Sequence, residues 1–307
     1  MKSNILITGV AGFIGSNLAD YLLKKKYNII GIDNLSYGLV DQVPKDIKFF
    51  NTDIRSKKIY KIFNNIDIVF HLAAKNCISD CQLDPVETAD INITGTVNIF
   101  EACKRAGVKK VIYAESSALY ENSSVFPTTE NDINPKSFYS ISKYADKFFA
   151  EAYESFYDLE TIALRYFNVY GPKQDYRRSI PPLMCELIIK LLKGEQPTIY
   201  GNGAKRRDFI YVDDVNKFHE MLIKNSSKQH RTFNIGTGIN YSVLEVFEII
   251  QSLINTNVMP KHKPDLEGEA FQNLADISNA RSLGWKPKVN LEEGLKLSID
   301  YIQKNVL

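Results

Sequence analysis

The sequence predicts an α/β protein with a doubly wound parallel sheet and a smaller C-terminal substrate-binding lobe. Short apolar runs alternate with amphipathic segments through the first 167 residues, and a glycine-rich segment follows the first run. Glycines and prolines break this alternation after residue 167. Alternating strands and helices connect through right-handed crossovers, which place the strands side by side in one sheet.

Six runs rich in β-branched and aromatic residues are the predicted strands. They are apolar on both faces, which is typical of strands buried between two layers of helices. In chain order they are residues 4–8, 28–33, 47–51, 67–72, 110–115 and 160–167. The clearest helix is 85–106, where apolar residues recur every three or four positions after an initial proline.

These elements predict a first domain at residues 1–172 and a smaller lobe at 173–307. Helical patterns in the second part occur at 213–224, 242–254 and 291–304. We expect residues 205–240 to contribute one further strand and one helix to the first domain.

Composition and charge indicate a small-molecule partner. Of 307 residues, 44% are hydrophobic and 24% are charged, which excludes a disordered, collagenous or coiled-coil chain. The net charge of +2 is too small to indicate nucleic-acid or membrane binding. No apolar run approaches the ~18 residues of a membrane span and no signal peptide is evident, so we expect a cytoplasmic protein.

The four cysteines are expected to be reduced thiols. Cys77, Cys81, Cys103 and Cys185 are scattered, and no second Cys or His pair lies at zinc-ligand spacing. The sequence therefore predicts no metal site and fits a reducing compartment.

A glycine motif follows the first predicted strand and opens a helix. Gly9, Gly12 and Gly15 let the chain turn tightly and let the backbone approach a pyrophosphate. Asp33 ends the second strand, where a carboxylate accepts hydrogen bonds from ribose hydroxyls and repels a 2′-phosphate. The sequence therefore predicts NAD rather than NADP. An ordinary tight turn at the glycines and a turn-forming role for Asp33 are the alternatives.

Three side chains form a candidate catalytic set. Tyr139 and Lys143 lie four residues apart in a helical pattern, and the ammonium favours a phenolate. Ser116 follows the fifth strand, at the sheet edge where open α/β sheets bind ligands. Together they are a proton-transfer set for oxidising an alcohol beside a nicotinamide. Without Ser116, a surface Tyr–Lys pair is the simpler interpretation.

Motifs occur in collinear order along essentially the whole chain, at residues 9–15, 33–34, 71–74, 116–120, 139–143, 165–172, 198–203, 207–213, 234–238, 275–278 and 283–287. With these motifs the sequence resembles the extended short-chain dehydrogenase/reductase family, in particular its nucleotide-sugar 4-epimerase branch. The resemblance implies a Rossmann fold with retained NAD.

The resemblance also implies a set of binding residues. The cofactor-binding residues are Gly9, Gly12, Phe13, Ile14, Gly15, Asp33, Asn34, Asp53, Ile54, Leu72, Ala73, Ala74, Asn92, Tyr139, Lys143 and Phe167. The substrate-binding residues are Ser116, Ser117, Tyr139, Asn168, Tyr200, Arg207 and Asn273. Asn168 and Arg207 are expected to hold a diphosphate and Tyr200 to pack by the base, although Tyr200 also fits a core aromatic.

The activity implied by the resemblance is inversion at C4 of a UDP-hexose or UDP-N-acetylhexosamine through a transient 4-keto sugar. Tyr139 would take the C4 hydroxyl proton, Lys143 would lower the tyrosine pKa, and Ser116 would hydrogen-bond the developing carbonyl. The alternatives are a nucleotide-sugar 4-ketoreductase or dehydrogenase with a dissociable NAD(P), and a non-catalytic dinucleotide sensor.

Four positions depart from the family pattern. Ser117 and Ala118 stand where 4,6-dehydratases and decarboxylases carry an acidic residue, so elimination lacks its acid. Leu266 stands where epimerases commonly have a second arginine, so the sequence does not determine which nucleotide is bound. Glu121 replaces a glycine, and the sequence alone does not explain this change.

Two further expectations follow from the resemblance. The first is a homodimer through residues 85–106 and 139–157, burial of these helices within one subunit being the alternative. The second places Asn273 at a pocket wall where a tyrosine in some epimerases excludes N-acetyl groups. Asn273 is smaller and can hydrogen-bond an acetamide, unless it faces solvent.

Overall fold

A computed structural model describes residues 3–177, 181–225, 230–265 and 270–307. The strands are β1 (Asn4–Thr8), β2 (Asn28–Asp33), β3 (Lys48–Asn51), β4 (Ile68–His71), β5 (Lys110–Ser116), β6 (Glu160–Tyr166), β7 (Asn168–Tyr170), β8 (Thr198–Tyr200), β9 (Arg206–Tyr211), β10 (Thr232–Ile235), β11 (Asn240–Ser242) and β12 (Lys261–Lys263). The helices are α1 (Phe13–Lys24), α2 (Ile78–Leu83), α3 (Pro85–Ala89), α4 (Gly95–Ala106), α5 (Phe138–Tyr157), α6 (Leu183–Leu192), α7 (Val212–Lys224), α8 (Val243–Ile254), α9 (Ser278–Ser282) and α10 (Leu291–Asn305). Among the described residues, no helix combines the length and apolar character needed to cross a bilayer.

The described residues form a seven-stranded sheet in the order β10-β6-β5-β4-β1-β2-β3. Neighbouring strands from β6 to β3 run parallel. The six predicted strands are all present, and their ends lie within one residue of the predicted ends. The predicted α/β fold class with a parallel sheet is therefore confirmed.

The carboxyl ends of the central strands lie at one edge of this sheet. Thr8, the last residue of β1, is in register with Ile32 on β2 and with His71 on β4. The glycine motif follows β1, while Asp33 and Ser116 are the last residues of β2 and β5. The parallel topology thus brings motifs that are distant in sequence to the edge where such sheets bind ligands.

Apolar side chains of the sheet and of α4 form one hydrophobic core. Leu6, Val69 and Val111 come from β1, β4 and β5, and Ile99 and Phe100 from α4, and none of them is exposed. Complete burial of one such side chain contributes about 1.5–3 kcal/mol relative to exposure. This packing holds the strand ends that carry the motifs in fixed positions.

The predicted helix 85–106 is continuous, but it is not α-helical throughout. α3 is followed by a single π-helical turn, Asp90–Thr94, and then by α4. The helix begins at Pro85, with the side chain of Asp84 accepting a backbone N–H, and ends before Gly107, which has a φ of +72°. π turns are frequent at functional sites, so the residues of this turn are candidates for a functional role.

The chain divides into two compact units. The first comprises the described residues up to Asn122, Ile133–Tyr166 and Asn216–Phe233, and the second comprises Ser123–Asp132, Phe167–Val215 and Asn234–Leu307. The segment Ser123–Asp132 lies in the second unit, although it falls within the domain expected at 1–172. A strand pairing explains this, because Thr128 forms a bridge with Ala275.

The second unit has small sheets of its own. β9 pairs with β11 in antiparallel and with β7 in parallel orientation, and β12 pairs with β8. Side chains of β9, α6, α8 and α10 form its core, in which the ring of Tyr170 meets that of Phe209 edge to face. Asn168 is in register with Phe209, so this core fixes a predicted substrate residue.

Candidate active site

The glycine motif forms a tight connection from β1 to α1. Gly9 has a φ of +72°, and a Cβ there would lie 2.8 Å from the backbone nitrogen of Ala73. A Cβ at Gly15 would collide with the carbonyl oxygen of Gly9. α1 begins at Phe13 with no side-chain cap and no acidic residue in its first turn. Its first N–H groups and the positive end of its dipole therefore suit an anionic group such as a pyrophosphate.

Asp33 is nearly buried, and its carboxylate has backbone partners on both sides. Its Oδ2 accepts the N–H of Ala11 at 3.0 Å, and its Oδ1 accepts the N–H of Leu35 at 2.8 Å. Burial raises the pKa of this carboxyl, and the two N–H donors oppose that rise. Asp33 therefore holds the glycine loop and the turn after β2, so the turn-forming alternative describes part of its role.

Asp53 lies in a charged network after β3. Arg55 donates to Oδ1 and Oδ2 of Asp53 at 2.9 and 2.7 Å and to Asp90 at 2.7 Å. The amide of Asn34 donates to Asp53 at 3.0 Å, and Ile54 beside it is buried. The hydrogen bonds from Arg55 lower the pKa of Asp53 to about 2. The residues implied to contact the adenosine half of NAD are thus connected to one another.

A buried chain of three side chains links β1, β4 and α4. His71 Nδ1 lies 2.7 Å from Thr8 Oγ1, and His71 Nε2 lies 2.9 Å from Thr96 Oγ1. The hydroxyl of Thr8 also accepts the backbone N–H groups of residues 72–73 at 3.2 Å. Burial, and to a lesser extent the ammonium of Lys143, lowers the pKa of His71 to about 3. A neutral histidine therefore fixes the segment implied to run along the pyrophosphate.

Asn92 lies in the π-helical turn and is fully buried. Its Oδ1 accepts the N–H of Lys75 at 2.8 Å, and its Nδ2 donates to the Lys75 carbonyl at 3.0 Å and to Ser142 Oγ at 2.9 Å. Ser142 in turn donates to the carbonyl of Tyr139 at 2.7 Å. Asn92 exposes no atom in this structure, and its side chain connects Lys75 with Ser142 on α5.

Ser116 and Tyr139 meet within the first unit, beside Lys143. The Ser116 side chain lies near enough to Tyr139 to act on its pKa as a hydrogen-bond partner, and Ser116 Oγ accepts the N–H of Ala118 at 3.1 Å. Burial raises the pKa of Tyr139, while the ammonium of Lys143 and the hydrogen bond with Ser116 lower it. Lys143 thus acts in the predicted direction, and burial is the larger influence.

Glu121 holds the N-terminus of α5. This helix begins at Phe138, and Ser137 is its N-cap. The Glu121 carboxylate accepts the N–H groups of residues 136–137 at 3.0 and 2.8 Å. It also accepts the hydroxyls of Ser137 at 2.7 Å and Ser140 at 2.9 Å. A negative charge is favourable at this end of a helix. A glycine could not make these contacts, which connect the turn after β5 with the helix that carries Tyr139.

Two ion pairs are buried beneath the catalytic residues. Lys143 Nζ lies 2.6 Å from Asp146 Oδ2, with exposed fractions of 2% and 0%. Arg165 on β6 donates to Glu115 on β5 at 2.6 Å, and both side chains are equally buried. Arg165 also reaches the hydroxyl of Tyr120 at 2.9 Å. Removing one partner of such a pair typically costs about 3–5 kcal/mol, so these groups hold their neighbours firmly.

Two of the predicted substrate residues form a connected cluster in the second unit. Asn168 Nδ2 donates to the Asp208 carbonyl at 2.9 Å and to Asn273 Oδ1 at 3.2 Å. Asn273 Oδ1 also accepts the N–H of Asp208 at 2.8 Å. The buried Asp208 carboxylate accepts the N–H groups of Thr237 and Gly238 at 2.7 and 2.9 Å. Both asparagine side chains therefore have defined orientations.

The remaining predicted residues lie in varied surroundings. Arg207 on β9 is half-buried, and its guanidinium donates to the carbonyl of Phe271 at 3.3 Å. Tyr200 at the end of β8 is half-buried, and Phe167 is buried. Leu266 lies outside the described residues. Among the predicted residues of the first unit, Asn34 is exposed, and those that retain partial exposure are Gly9, Gly12, Phe13, Ile14, Asp53, Leu72, Ala73, Ala74, Ser116, Ser117 and Tyr139.

Sequence reasoning missed three acidic residues that organise the site. Asp146 lies three residues after Lys143, a helical spacing that indicates an ion pair. The contacts of Glu121 reach across 15 to 19 residues, and those of Asp208 across 29 or more. No local pattern predicts such contacts, because tertiary packing creates them.

Comparison with known proteins finds the family that the sequence resembles. Residues 5–236 match the NAD dependent epimerase/dehydratase family. UDP-glucose 4-epimerase of Mycolicibacterium smegmatis is 32% identical over 310 residues, covering 97% of this chain and 98% of that protein. UDP-glucose 4-epimerase of Thermotoga maritima, solved with UDP-glucose, has a TM-score of 0.95 at 36% identity, covering 99% of this chain and all of that one. UDP-N-acetylglucosamine 4-epimerase of Methanobrevibacter ruminantium, in complex with UDP-N-acetylmuramic acid, has a TM-score of 0.95 at 31% identity, covering both chains completely.

The fold and the site define an NAD-dependent enzyme built on a doubly wound α/β sheet. The chain belongs to the NAD dependent epimerase/dehydratase family. The family, the enzyme class and the cofactor expected from the sequence are therefore confirmed.

Proposed function

We propose that the protein interconverts the C4 epimers of a UDP-hexose or UDP-N-acetylhexosamine, using retained NAD. The observation that carries this proposal is the placement of Ser116 at the end of β5 and of Tyr139 and the buried Lys143 on α5, which packs against β5. This set lies at the sheet edge that also holds the glycine loop. The UDP-sugar epimerases among its relatives support the substrate class.

The residues of the first unit fit NAD. At Gly9 and Gly15 the backbone lies closer to neighbouring backbone atoms than a residue with a side chain would allow. The N-terminus of α1 offers N–H donors. The Asp33 carboxylate ends β2, where the ribose of a dinucleotide is held. When bound, NAD supplies reversible hydride acceptance, which side chains do not provide.

The chemistry of the chain's own residues is proton transfer and charge stabilisation. Tyr139, as phenolate, would accept the proton of the C4 hydroxyl as C4 is oxidised, and bound NAD would be the hydride acceptor for that oxidation. Lys143 stabilises the phenolate, and the Ser116 hydroxyl hydrogen-bonds the oxygen that becomes a ketone. After the 4-keto sugar has turned over, C4 would regain the hydride on its other face from the bound cofactor, and Tyr139 would return the proton to the C4 oxygen. Elimination is not expected, because Ser117 and Ala118 provide no acid.

The second unit supplies groups that suit a nucleoside diphosphate. Arg207 carries a planar guanidinium, which pairs with phosphate by charge and by its forked geometry. Asn168 is oriented by Asp208 and Asn273 and lies on β7. We assign the diphosphate to Arg207 and Asn168, and the base to Tyr200.

The activity is tested by incubating the protein with UDP-, GDP- and dTDP-sugars and resolving C4 epimers by NMR. An epimerase reaches an equilibrium mixture without consuming added cofactor. Consumption of one equivalent of NAD(P)H per turnover would instead identify a ketoreductase. Binding of a dinucleotide with no turnover of any sugar would indicate a sensor.

The role of Tyr139 is tested by Tyr139→Phe, which removes only the ionisable oxygen. We expect kcat to fall by about 10²-fold or more, because positioned acid–base groups contribute at least that much. Retained NAD and the circular dichroism spectrum serve as controls and should be unchanged. A variant that keeps more than about a tenth of kcat would exclude Tyr139 as the base.

We also propose that the protein forms a homodimer through α5. Phe138, Ile141, Phe148, Phe149 and Phe156 are exposed, and helical spacing places them on one face. Leu83 and Val86, on the neighbouring α2 and α3, are exposed as well. A group of exposed apolar side chains of this kind fits a second copy of the same chain.

A further inference from the structure

Helix α5 buries a carboxylate directly behind the catalytic lysine. Asp146 lies one helical turn after Lys143, its side chain is fully buried, and its Oδ2 is 2.6 Å from Lys143 Nζ. The lysine is almost as deeply buried, with 2% exposure. An ammonium in such surroundings is costly unless an anion is paired with it. Asp146 is the partner that the described residues place within ion-pair distance of Lys143.

Other charged groups surround the pair, and each acts on it more weakly. Tyr139 on α5 and Glu115 on β5 act on the pair directly, while Asp146 acts on Tyr113 of β5 and Lys143 acts on His71 of β4. Farther out, Cys81 on α2 acts on Tyr139, and Arg165 on β6 acts on Tyr113. Arg165 is paired with Glu115, and burial keeps His71 neutral. Asp146 is therefore the negative charge that acts most directly on Lys143.

We propose that Asp146 is a positioning residue for the reaction, whose carboxylate fixes the Lys143 ammonium and balances its charge beside Tyr139. This inference rests on the proposed role of Tyr139 as the base. Lys143 must be charged to stabilise the phenolate, and it must be held in place beside Tyr139. A paired carboxylate keeps Lys143 charged and holds it in place. It also cancels part of the positive electrostatic potential that Lys143 exerts on Tyr139.

The electrostatics have a definite sign. The charge of Asp146 raises the pKa of Lys143 against the opposing effect of burial, and it also raises the pKa of Tyr139. Removing one negative charge therefore lowers the pKa of both groups. Lys143 remains charged while Tyr139 ionises, because Tyr139 and Glu115 still raise the lysine pKa.

The test compares Asp146→Asn, which keeps the shape of the side chain, with Glu151→Gln. Glu151 lies on the same helix, paired with Lys147 at 2.7 Å, and is 57% exposed, so it is a matched control for loss of one charge. We expect both limbs of the pH–rate profile of Asp146→Asn to move to lower pH. The alkaline limb, which reports Lys143, should move by about one pH unit or more. The control should keep the wild-type profile.

A uniform loss of rate with both limbs in place would overturn the proposal, because a merely structural role moves no pKa. If Asp146→Asn fails to fold, Asp146→Glu replaces it. That variant keeps the charge, so its limbs should stay in place even where its maximal rate falls, and displaced limbs would contradict the proposal.

A second measurement needs no turnover and separates this inference from the proposed function. The tyrosinate absorbance of the NAD-loaded protein is titrated with and without Asp146→Asn, and in each case the titration of the same protein carrying Tyr139→Phe is subtracted. The difference reports the ionisation of Tyr139 alone. A lower midpoint with Asp146→Asn supports the proposal even if no sugar is epimerised, and an unchanged midpoint refutes it even if epimerisation is observed.

Discussion

Asp33 combines two roles that substitutions can separate. Its charge is expected to exclude the 2′-phosphate of NADP, and its oxygens hold the N–H groups of Ala11 and Leu35. We expect Asp33→Ala to weaken NAD binding about 10-fold or more, since hydrogen bonds to a charged group contribute about 1.5–3 kcal/mol. Its tolerance of NADP should rise because the repulsion is gone.

Asp33→Asn is the matched control, because it removes the charge and keeps one acceptor for the loop. Affinities for NAD and NADP measured by calorimetry should show the gain for NADP in both variants, with the smaller loss of NAD affinity in Asp33→Asn. NADP bound to the protein as purified would contradict the cofactor assignment.

Asn273 is expected to decide whether N-acetylated sugars are accepted. Its Oδ1 is engaged by Asn168 and by the backbone of Asp208, which leaves the side-chain NH₂ as the donor for an acetamide carbonyl. Asn273→Tyr should therefore suppress turnover of UDP-N-acetylhexosamines more than that of UDP-hexoses, because the larger ring conflicts with the acetyl group. The ratio of the two kcat/KM values measures the effect. An unchanged ratio would show that this position does not set specificity.

Single residues were predictable from sequence where a local motif or a known family pattern marks them. The glycines, Asp33 and the Ser116–Tyr139–Lys143 set have such patterns, and the structure places all three catalytic side chains in the first unit. The role of Glu121 has no local pattern, since its partners follow a loop of more than ten residues. The burial of Asn92 also has no sequence pattern, because it depends on Lys75 and Ser142, which the fold places beside it.

Among the elements, α5 carries Tyr139, Lys143 and the proposed dimer surface. We expect Phe148→Lys to dissociate the dimer, because a charge replaces an exposed apolar ring in the middle of the stripe. Sedimentation velocity measures the outcome. Leu297→Lys on α10, also an exposed apolar residue, is the control and should leave the dimer intact. A monomeric wild-type protein, or a dimeric Phe148→Lys variant, would refute this interface.

Elements differ in how far the sequence determines them. The six strands of the central sheet were predicted to within one residue, because burial on both faces produces unmistakable apolar runs. The three-residue strands β7, β8, β11 and β12 were not predicted, since so few residues show no alternation. The π turn at Asp90–Thr94 also has no sequence pattern, because apolar spacing continues through it.

For the whole molecule, His71 makes stability depend on pH. Its pKa is about 3 in the folded protein against an ordinary value of 6.5, so the unfolded chain binds a proton first. The free energy of unfolding should therefore fall as pH drops from about 6.5 towards 3, and this one group contributes a slope of up to ~1.4 kcal/mol per pH unit.

Urea unfolding of the wild type and His71→Asn over this pH range measures the contribution. The variant should be less stable at neutral pH, because contacts with Thr8 and Thr96 change, yet its stability should fall less steeply with acid. Parallel pH profiles for the two proteins would show that His71 is not the group that titrates.

The position of β10 has a consequence for synthesis of the chain on the ribosome. β10 flanks β6 in the central sheet, but it follows β6 by more than 60 residues, most of which belong to the second unit. Until residue 235 has emerged, β6 is an edge strand with unpaired backbone groups, and such edges recruit strands from other chains. The nascent chain therefore carries this open edge while residues 167–235 are being made, and a pause in translation there prolongs that interval.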